Sequence, residues 1–135
     1  MITDAHNKDE LKHILSYYKE IQNFLRSRTT IEQRKKIRKA FSLALNAHKD
    51  MRRRSGEPYI IHPLEVSLIV LKKMNLGATS VVCALLHDVV EDTDYTIQDI
   101  EALFGEEVAH IIDGLTKIDE VSDTQLSIQV ENFKK

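Results

Sequence analysis

Apolar residues recur three and four positions apart along almost the whole chain, and only four Gly and two Pro interrupt the pattern. Residues at that spacing share one face of an α-helix, whereas a half-buried strand alternates apolar and polar residues. Glycine and proline usually mark the breaks between elements, so their scarcity favours a small number of long helices. The pattern therefore predicts an all-α fold.

Capping residues and helix breakers set the predicted boundaries. Gly77 is expected to end the third helix in a left-handed conformation, and Gly105 is expected to break the chain after the fifth. Residues 119–124 are predicted to form a loop. The predicted helices run from Lys8 to Arg26, from a Thr30 cap to about Met51, from about Pro63 to near Asn75, from Thr79 or Ser80 to Asp92, from a Thr96 cap to Phe104, from Glu106 to Ile118, and from Gln125 onward.

The length and composition indicate one domain in a reducing compartment. With 135 residues and 42% hydrophobic side chains, the chain can bury one core of ordinary size. Its single cysteine, Cys83, lies in an apolar run and gives no disulfide framework. The sequence has no run of about 18 apolar residues and no apolar leader behind a basic start. These features predict a cytoplasmic location and no membrane partner.

Charge is distributed unevenly along the chain. Residues 31–54 contain nine Lys or Arg with two acidic residues, whereas residues 85–120 contain eleven Asp or Glu with one Lys. This asymmetry predicts an anion-binding half beside a cation-binding half. The basic stretch is also the one feature that favours a nucleic-acid-binding domain. It lacks base-stacking aromatic residues and a recognisable recognition helix, so no nucleic-acid partner is predicted.

The segment 83–94, CALLHDVVEDTD, places ionisable side chains on a helix that is otherwise apolar. His87 lies over Glu91, and Asp88 lies over Asp92, because residues four apart share a helix face. An unpaired buried carboxylate costs on the order of several kcal/mol, so a cation or ordered water should face this cluster. Imidazole and carboxylate groups are suitable ligands for Mn²⁺, Fe²⁺ or Zn²⁺.

Two protein ligands do not hold such an ion firmly, and His62 is the strongest candidate for a third. Pro63 fixes it at the start of the next helix, within the segment EPYIIHP. The alternative is that His87 and Asp88 only end a helix with local hydrogen bonds, but the Glu-Asp pair four residues further on favours a metal site. Tyr59 is assigned to the core, and His48 to the apolar face of the second helix.

Four segments carry a resemblance to a known family: RRSGEPYIIHPLEV, LLHDVVEDTDYT, FGEEVAHIIDGLTKI and QVENFKK. Over residues 34–135 they resemble, in order and spacing, the N-terminal hydrolase region of the RelA/SpoT homologue family, the alarmone enzymes of the HD superfamily. The resemblance implies an all-helical HD domain that removes pyrophosphate from the 3′ position of guanosine tetra- or pentaphosphate, with Mn²⁺ or another divalent metal ion. It implies that His62, His87 and Asp88 are metal ligands, that Glu91 and Asp92 are the catalytic pair that positions and activates water, and that Arg53, Arg54 and Ser55 bind substrate.

The sequence departs from the family pattern at its C-terminus. The family's further metal-binding Asp lies in a segment after ENFKK that this sequence does not contain, and the synthetase domain is also absent. The resemblance therefore predicts that residues 1–135 are the N-terminal part of an HD hydrolase domain, and that this part is weakly active or inactive. Uncovered Leu85, Val89, Leu115 and Ile118 are expected to favour a homodimer. The alternative function is a non-catalytic helical regulatory or interaction module that retains the HD fold.

Overall fold

The computed structural model describes residues 6–74 and 76–117, and its regular structure is helical. Residues 106–117 form a sixth helix, α6. Within the described range the β contacts amount to one isolated bridge between Arg52 and Pro58. The all-α prediction is confirmed. The other helices are α1 Lys8–Leu25, α2 Ile31–Ala47, α3 Ile61–Lys72, α4 Ala78–Asp92 and α5 Ile97–Phe104.

Helix α4 is the centre of the first compact unit, which ends at Tyr95. It packs against α2 and α3, and α1 packs against α3. Because two helices cover α4, Leu85 and Val89 have no exposed surface. The expectation that these two side chains are uncovered is therefore wrong. Leu115 is 38% exposed, and Ile118 lies outside the described residues, so the homodimer stays a prediction.

Side-chain caps begin three of the helices. Asn7, Thr30 and Thr96 each accept a hydrogen bond from the backbone N–H three residues further on, and the side chain there bonds back to the cap. These capping boxes satisfy backbone donors that have no partner within the helix. The predicted Thr30 and Thr96 caps are confirmed. Gly105, with φ 101°, ends α5 as predicted.

The predicted end of α2 and the predicted role of Gly77 are wrong. Helix α2 ends at Ala47 rather than near Met51, because His48 leaves the helical conformation with ψ 12°. Gly77 does not end α3 in a left-handed conformation. It is extended, with φ −104°, and it directly precedes α4, which therefore begins at Ala78, before the predicted start.

The second compact unit begins at Thr96 and contains α5 and α6. The predicted loop at 119–124 and the last predicted helix lie outside the described residues. In the described part of the chain, no helix is long and apolar enough to cross a membrane. The cytoplasmic location stays a prediction. Up to residue 117, the buried apolar side chains of this unit are Ile100, Phe104, Val108, Ala109 and Ile112.

Candidate metal and hydrolase site

The C-terminal end of α4 gathers three side chains that can bind a metal. These residues, the α4 cluster, are His87, Asp88 and Glu91. Each contributes one ligand atom, and these atoms lie within 4.8 Å of one another. His87 Nδ1 is 3.7 Å from Asp88 Oδ1, and its Nε2 is 3.6 Å from Glu91 Oε1. The helix places His87 and Glu91 one turn apart on the same face, as the sequence spacing predicted.

His62 approaches this cluster from α3. Its Nε2 atom is 3.6 Å from Asp88 Oδ2. The adjacent Pro63 is buried in the first turn of α3, where a missing backbone N–H removes no helical hydrogen bond. The proline therefore fixes the start of the helix that carries His62. The structure brings the three predicted metal ligands together on two packed helices, and their role as ligands stays a prediction.

The spacing of these atoms suits a shared cation better than direct hydrogen bonds. Separations of 3.6 and 3.7 Å exceed the roughly 3.2 Å limit of an N–H···O bond. Ligand atoms that each lie about 2.0–2.2 Å from one ion are roughly 3 to 4 Å from each other. Two imidazoles with neighbouring carboxylates form a donor set that first-row transition metals accept. The residues present therefore fit a divalent cation.

The two predicted catalytic carboxylates lie on the accessible side of the cluster. The side chains of Glu91 and Asp92 are 30% and 33% exposed, whereas that of Asp88 is 13% exposed. Water and a substrate can therefore reach Glu91 and Asp92, while Asp88 is largely shielded by protein. This difference agrees with separate roles for the three acids.

Tyr59 lies beside the site, and its assignment to the core is corrected to a half-buried position. Its ring centroid is 4.8 Å from that of His48 and 6.0 Å from that of His62. Burial, together with the negative charge of the nearby Asp88 and Asp92 carboxylates, raises the pKa of Tyr59 far above its usual range. The hydroxyl therefore stays protonated.

His48 is a site residue that the sequence pattern missed. Its side chain is fully buried, and its Nδ1 lies 3.1 Å from the backbone oxygen of Ala44. A carbonyl can only accept, so Nδ1 carries the proton and Nε2 presents a lone pair. Among the described residues that Nε2 has no hydrogen-bond partner, and it lies 3.9 Å from Asp92 Oδ2. A polar residue on an apolar helix face was the signal that could have identified it.

The loop before α3 presents the predicted substrate-binding residues in a tight turn. The Gly56 N–H donates to Arg53 O at 2.8 Å, and the Arg53 N–H donates to Glu57 O at 2.9 Å. Gly56 adopts φ 91°, a conformation that favours glycine. The Arg53 guanidinium also lies 3.3 Å from the Glu57 carboxylate. Arg54 and Ser55 are exposed in this turn, and the substrate-binding role of all three predicted residues stays a prediction.

Arg52 ties this loop to α1. Its guanidinium donates to both carboxylate oxygens of Glu10, at 2.6 and 3.0 Å, and to Gly56 O at 2.7 Å. The hydrogen bond from Arg52 is the main reason that the pKa of Glu10 falls to about 2. The turn that carries the predicted substrate-binding residues is therefore held by the Arg52 contacts with α1 as well as by its own backbone hydrogen bonds.

Comparison with known proteins shows the family to which the chain belongs. A family model described as HD domain matches residues 40–135, a range that contains His48, His62 and the α4 cluster. The chain belongs to the HD domain family. The matched range leaves out α1 and the first half of α2 of this HD protein.

Curated relatives of the HD domain confirm the resemblance to the RelA/SpoT family. The bifunctional (p)ppGpp synthase/hydrolase SpoT of Escherichia coli K12 is 45% identical over 105 residues, which are 77% of this chain and 15% of that protein. The guanosine-3′,5′-bis(diphosphate) 3′-pyrophosphohydrolase of Aquifex aeolicus is 36% identical over 128 residues, which are 95% of this chain and 16% of that protein. The chain thus spans about a sixth of the length of these relatives.

A solved structure gives the same relationship. It belongs to a metazoan orthologue of SpoT that is described as hydrolysing ppGpp and as having a role in starvation responses. It aligns with this HD domain at 34% identity and a TM-score of 0.55, covering 58% of this chain and 46% of that chain. The HD fold predicted from the sequence is therefore confirmed.

Proposed function

We propose that this HD domain is a metal-dependent hydrolase that removes pyrophosphate from the 3′ position of guanosine tetra- or pentaphosphate. The observation that carries the proposal is the convergence of a histidine from α3 with the charged end of α4. Relatives that are named for this reaction match the same region of the chain, and they support the choice of substrate.

In this proposal His62, His87 and Asp88 hold the cation, and Mn²⁺ is the ion that we expect. The two oxygens of Asp88 face one histidine each, at 3.6 and 3.7 Å, so this carboxylate lies between the imidazoles. When bound, a divalent cation lowers the pKa of water and offsets the negative charge that builds on phosphoryl oxygens. Neutral imidazoles and an ionised carboxylate are the protonation states that binding requires.

The proposed reaction breaks the bond between the 3′ oxygen of the ribose and its phosphorus. Water adds to that phosphorus, the 3′ oxygen leaves and takes up a proton from solvent, and pyrophosphate is released together with GDP or GTP. Asp92 accepts the proton of the water, and Glu91 orients that water through a hydrogen bond. The exposure of both carboxylates supports these roles.

His48 and Tyr59 position Asp92 from the buried side of the site. The protonated Tyr59 hydroxyl lies near the Asp92 carboxylate, whose charge helps to raise its pKa, and the Nε2 atom of His48 lies 3.9 Å from the same carboxylate. Leaving a buried acceptor without a partner costs about 1–3 kcal/mol. In this proposal the Nε2 atom of His48 accepts the proton that Asp92 has taken from water, which gives this buried acceptor a role.

Metal removal combined with a substrate panel tests the proposed function. The whole chain treated with EDTA should not hydrolyse guanosine tetraphosphate, and added Mn²⁺ should restore turnover. GDP and GTP lack the 3′ diphosphate and should remain intact under the same conditions. Slow turnover is sufficient, because product accumulates during a long incubation and the resemblance predicts weak activity.

The panel has three results that contradict the proposal. They are turnover that persists in EDTA, hydrolysis of GTP at the same rate, and the absence of any Mn²⁺-dependent binding or hydrolysis of guanosine tetraphosphate. Binding that depends on Mn²⁺ but is never followed by turnover would instead support the non-catalytic regulatory module.

A further inference from the structure

A cavity of about 280 Å³ lies between α1 and α2. It shares no residue with the candidate metal site, and all of its lining residues lie before residue 40, outside the range that matches the HD domain. Its floor contains the buried aliphatic side chains Ile21, Leu25 and Ile37. The match to the HD domain model therefore does not account for this cavity.

All of the charged side chains that line the cavity are positive. The cavity is lined by Lys19 of α1, by Arg26 directly after α1, and by Arg34 and Arg38 of α2, and no described carboxylate lines it. The acidic side chains of α1 that form ion pairs do so elsewhere: Glu10 pairs with Arg52, and Glu20 pairs with Lys72. The positive charge around the cavity is therefore not offset by these acids.

The four cations are arranged on two helix faces. On α2, Arg34 and Arg38 are four residues apart, a spacing at which like charges destabilise an isolated helix. Lys19 of α1 and Arg26, the residue that caps the C-terminal end of α1, are seven residues apart and line the same cavity. A bound anion would convert this repulsion into charge-assisted hydrogen bonds. Guanidinium groups in particular match the geometry of phosphate oxygens.

Tyr18 gives the cavity a rigid polar edge. Its ring stacks on Phe41, with centroids 4.1 Å apart and planes 9° from parallel. Arg38 and Gln22, which both line the cavity, lie near its hydroxyl. The stacked Tyr18 ring therefore gives the cavity one fixed side before any ligand arrives, and preorganisation of this kind reduces the entropy lost on binding.

We propose that this cavity binds a compact diphosphate anion, either free pyrophosphate or the diphosphate group of a nucleotide. Its volume lies just below the range of sites for drug-sized molecules, which start at about 300 Å³. A small polyanion therefore suits it better than a large organic ligand. The inference goes beyond the proposed hydrolase function and does not depend on it.

Titration calorimetry with the whole chain tests this site. Pyrophosphate is added at low ionic strength in EDTA, so that no metal-dependent binding contributes. The double variant Arg34→Gln/Arg38→Gln should bind pyrophosphate about tenfold more weakly or worse, because two charge-assisted contacts are lost. Arg26→Gln, on the opposite wall, should weaken binding in the same direction.

Lys35→Gln/Lys36→Gln is the matched control, because it removes the same charge from exposed positions of α2 that do not line the cavity. Its affinity for pyrophosphate should change by less than about twofold. Equal weakening in the two double variants, or no saturable binding by the wild-type chain, would overturn the proposal.

Titration with GDP identifies the source of the anion. If GDP binds as tightly as pyrophosphate, the site recognises the diphosphate group of a nucleotide. If only pyrophosphate binds, the site takes the free anion. Both results support a diphosphate site. Tighter binding of orthophosphate than of either ligand would contradict it.

Discussion

Replacing Asp92 with Asn should lower the turnover of guanosine tetraphosphate by about 100-fold or more, while the chain still binds its divalent cation. An amide cannot accept the proton of the attacking water, although it has nearly the same shape as the carboxylate. The initial rate of pyrophosphate release and the amount of bound Mn²⁺ should be measured on the same samples. Asp94→Asn is the matched control, since it changes a nearby exposed acid outside the α4 cluster, and it should keep the wild-type rate.

His48→Asn extends this experiment to the buried side of Asp92. The amide nitrogen of Asn can still donate to the Ala44 carbonyl, but the variant has no counterpart of Nε2. Turnover should fall by a smaller factor than in Asp92→Asn, and the bound Mn²⁺ should be retained. Loss of metal in Asp92→Asn equal to the loss of turnover would make Asp92 a ligand instead of the base. Wild-type turnover in His48→Asn would remove His48 from the proton path.

Replacing His87 with Ala should abolish both metal binding and hydrolysis. The His87 ring lies between two carboxylates of the α4 cluster: its Nδ1 is 3.7 Å from Asp88, and its Nε2 is 3.6 Å from Glu91. Its loss leaves Asp88 and Glu91 as neighbouring anions without the imidazole between them. Metal content after gel filtration and the rate of pyrophosphate release should both fall to background.

The matched control is His13→Ala, which removes an exposed histidine of α1 that contacts the Tyr17 ring. It should leave both measurements unchanged. Wild-type metal content in His87→Ala would contradict the assignment of His87 as a ligand.

The helical fold could be predicted from the sequence because the signals are local. Helix periodicity and the capping residues Thr30 and Thr96 act within one or two turns, and the structure agrees with them. Gly77 shows the limit of this reasoning. Glycine tolerates the left-handed conformation but does not require it, and at this position the extended backbone leads into α4.

The candidate site could be predicted only in part, because some of its members meet through tertiary packing. His87 and Glu91 are neighbours by helix geometry alone. His48 and Tyr59 lie near Asp92 because α2 and the loop before α3 pack beside the end of α4. The spacing of residues in the sequence does not predict that contact. The burial of Leu85 was missed for the same reason, since the covering helices precede it in the chain.

The central claim is that side chains of α3 and α4 bind a divalent cation together. Pulsed electron paramagnetic resonance of Mn²⁺ added to excess wild-type chain tests it most directly. Nitrogen nuclei of coordinated imidazoles modulate the electron spin echo of Mn²⁺. We predict modulation from two histidine nitrogens, reduced to one in His62→Ala and fully retained in Asp92→Asn. A Mn²⁺ signal without nitrogen modulation in the wild-type chain, or one that His62→Ala leaves unchanged, would contradict a metal site built from His62, His87 and Asp88.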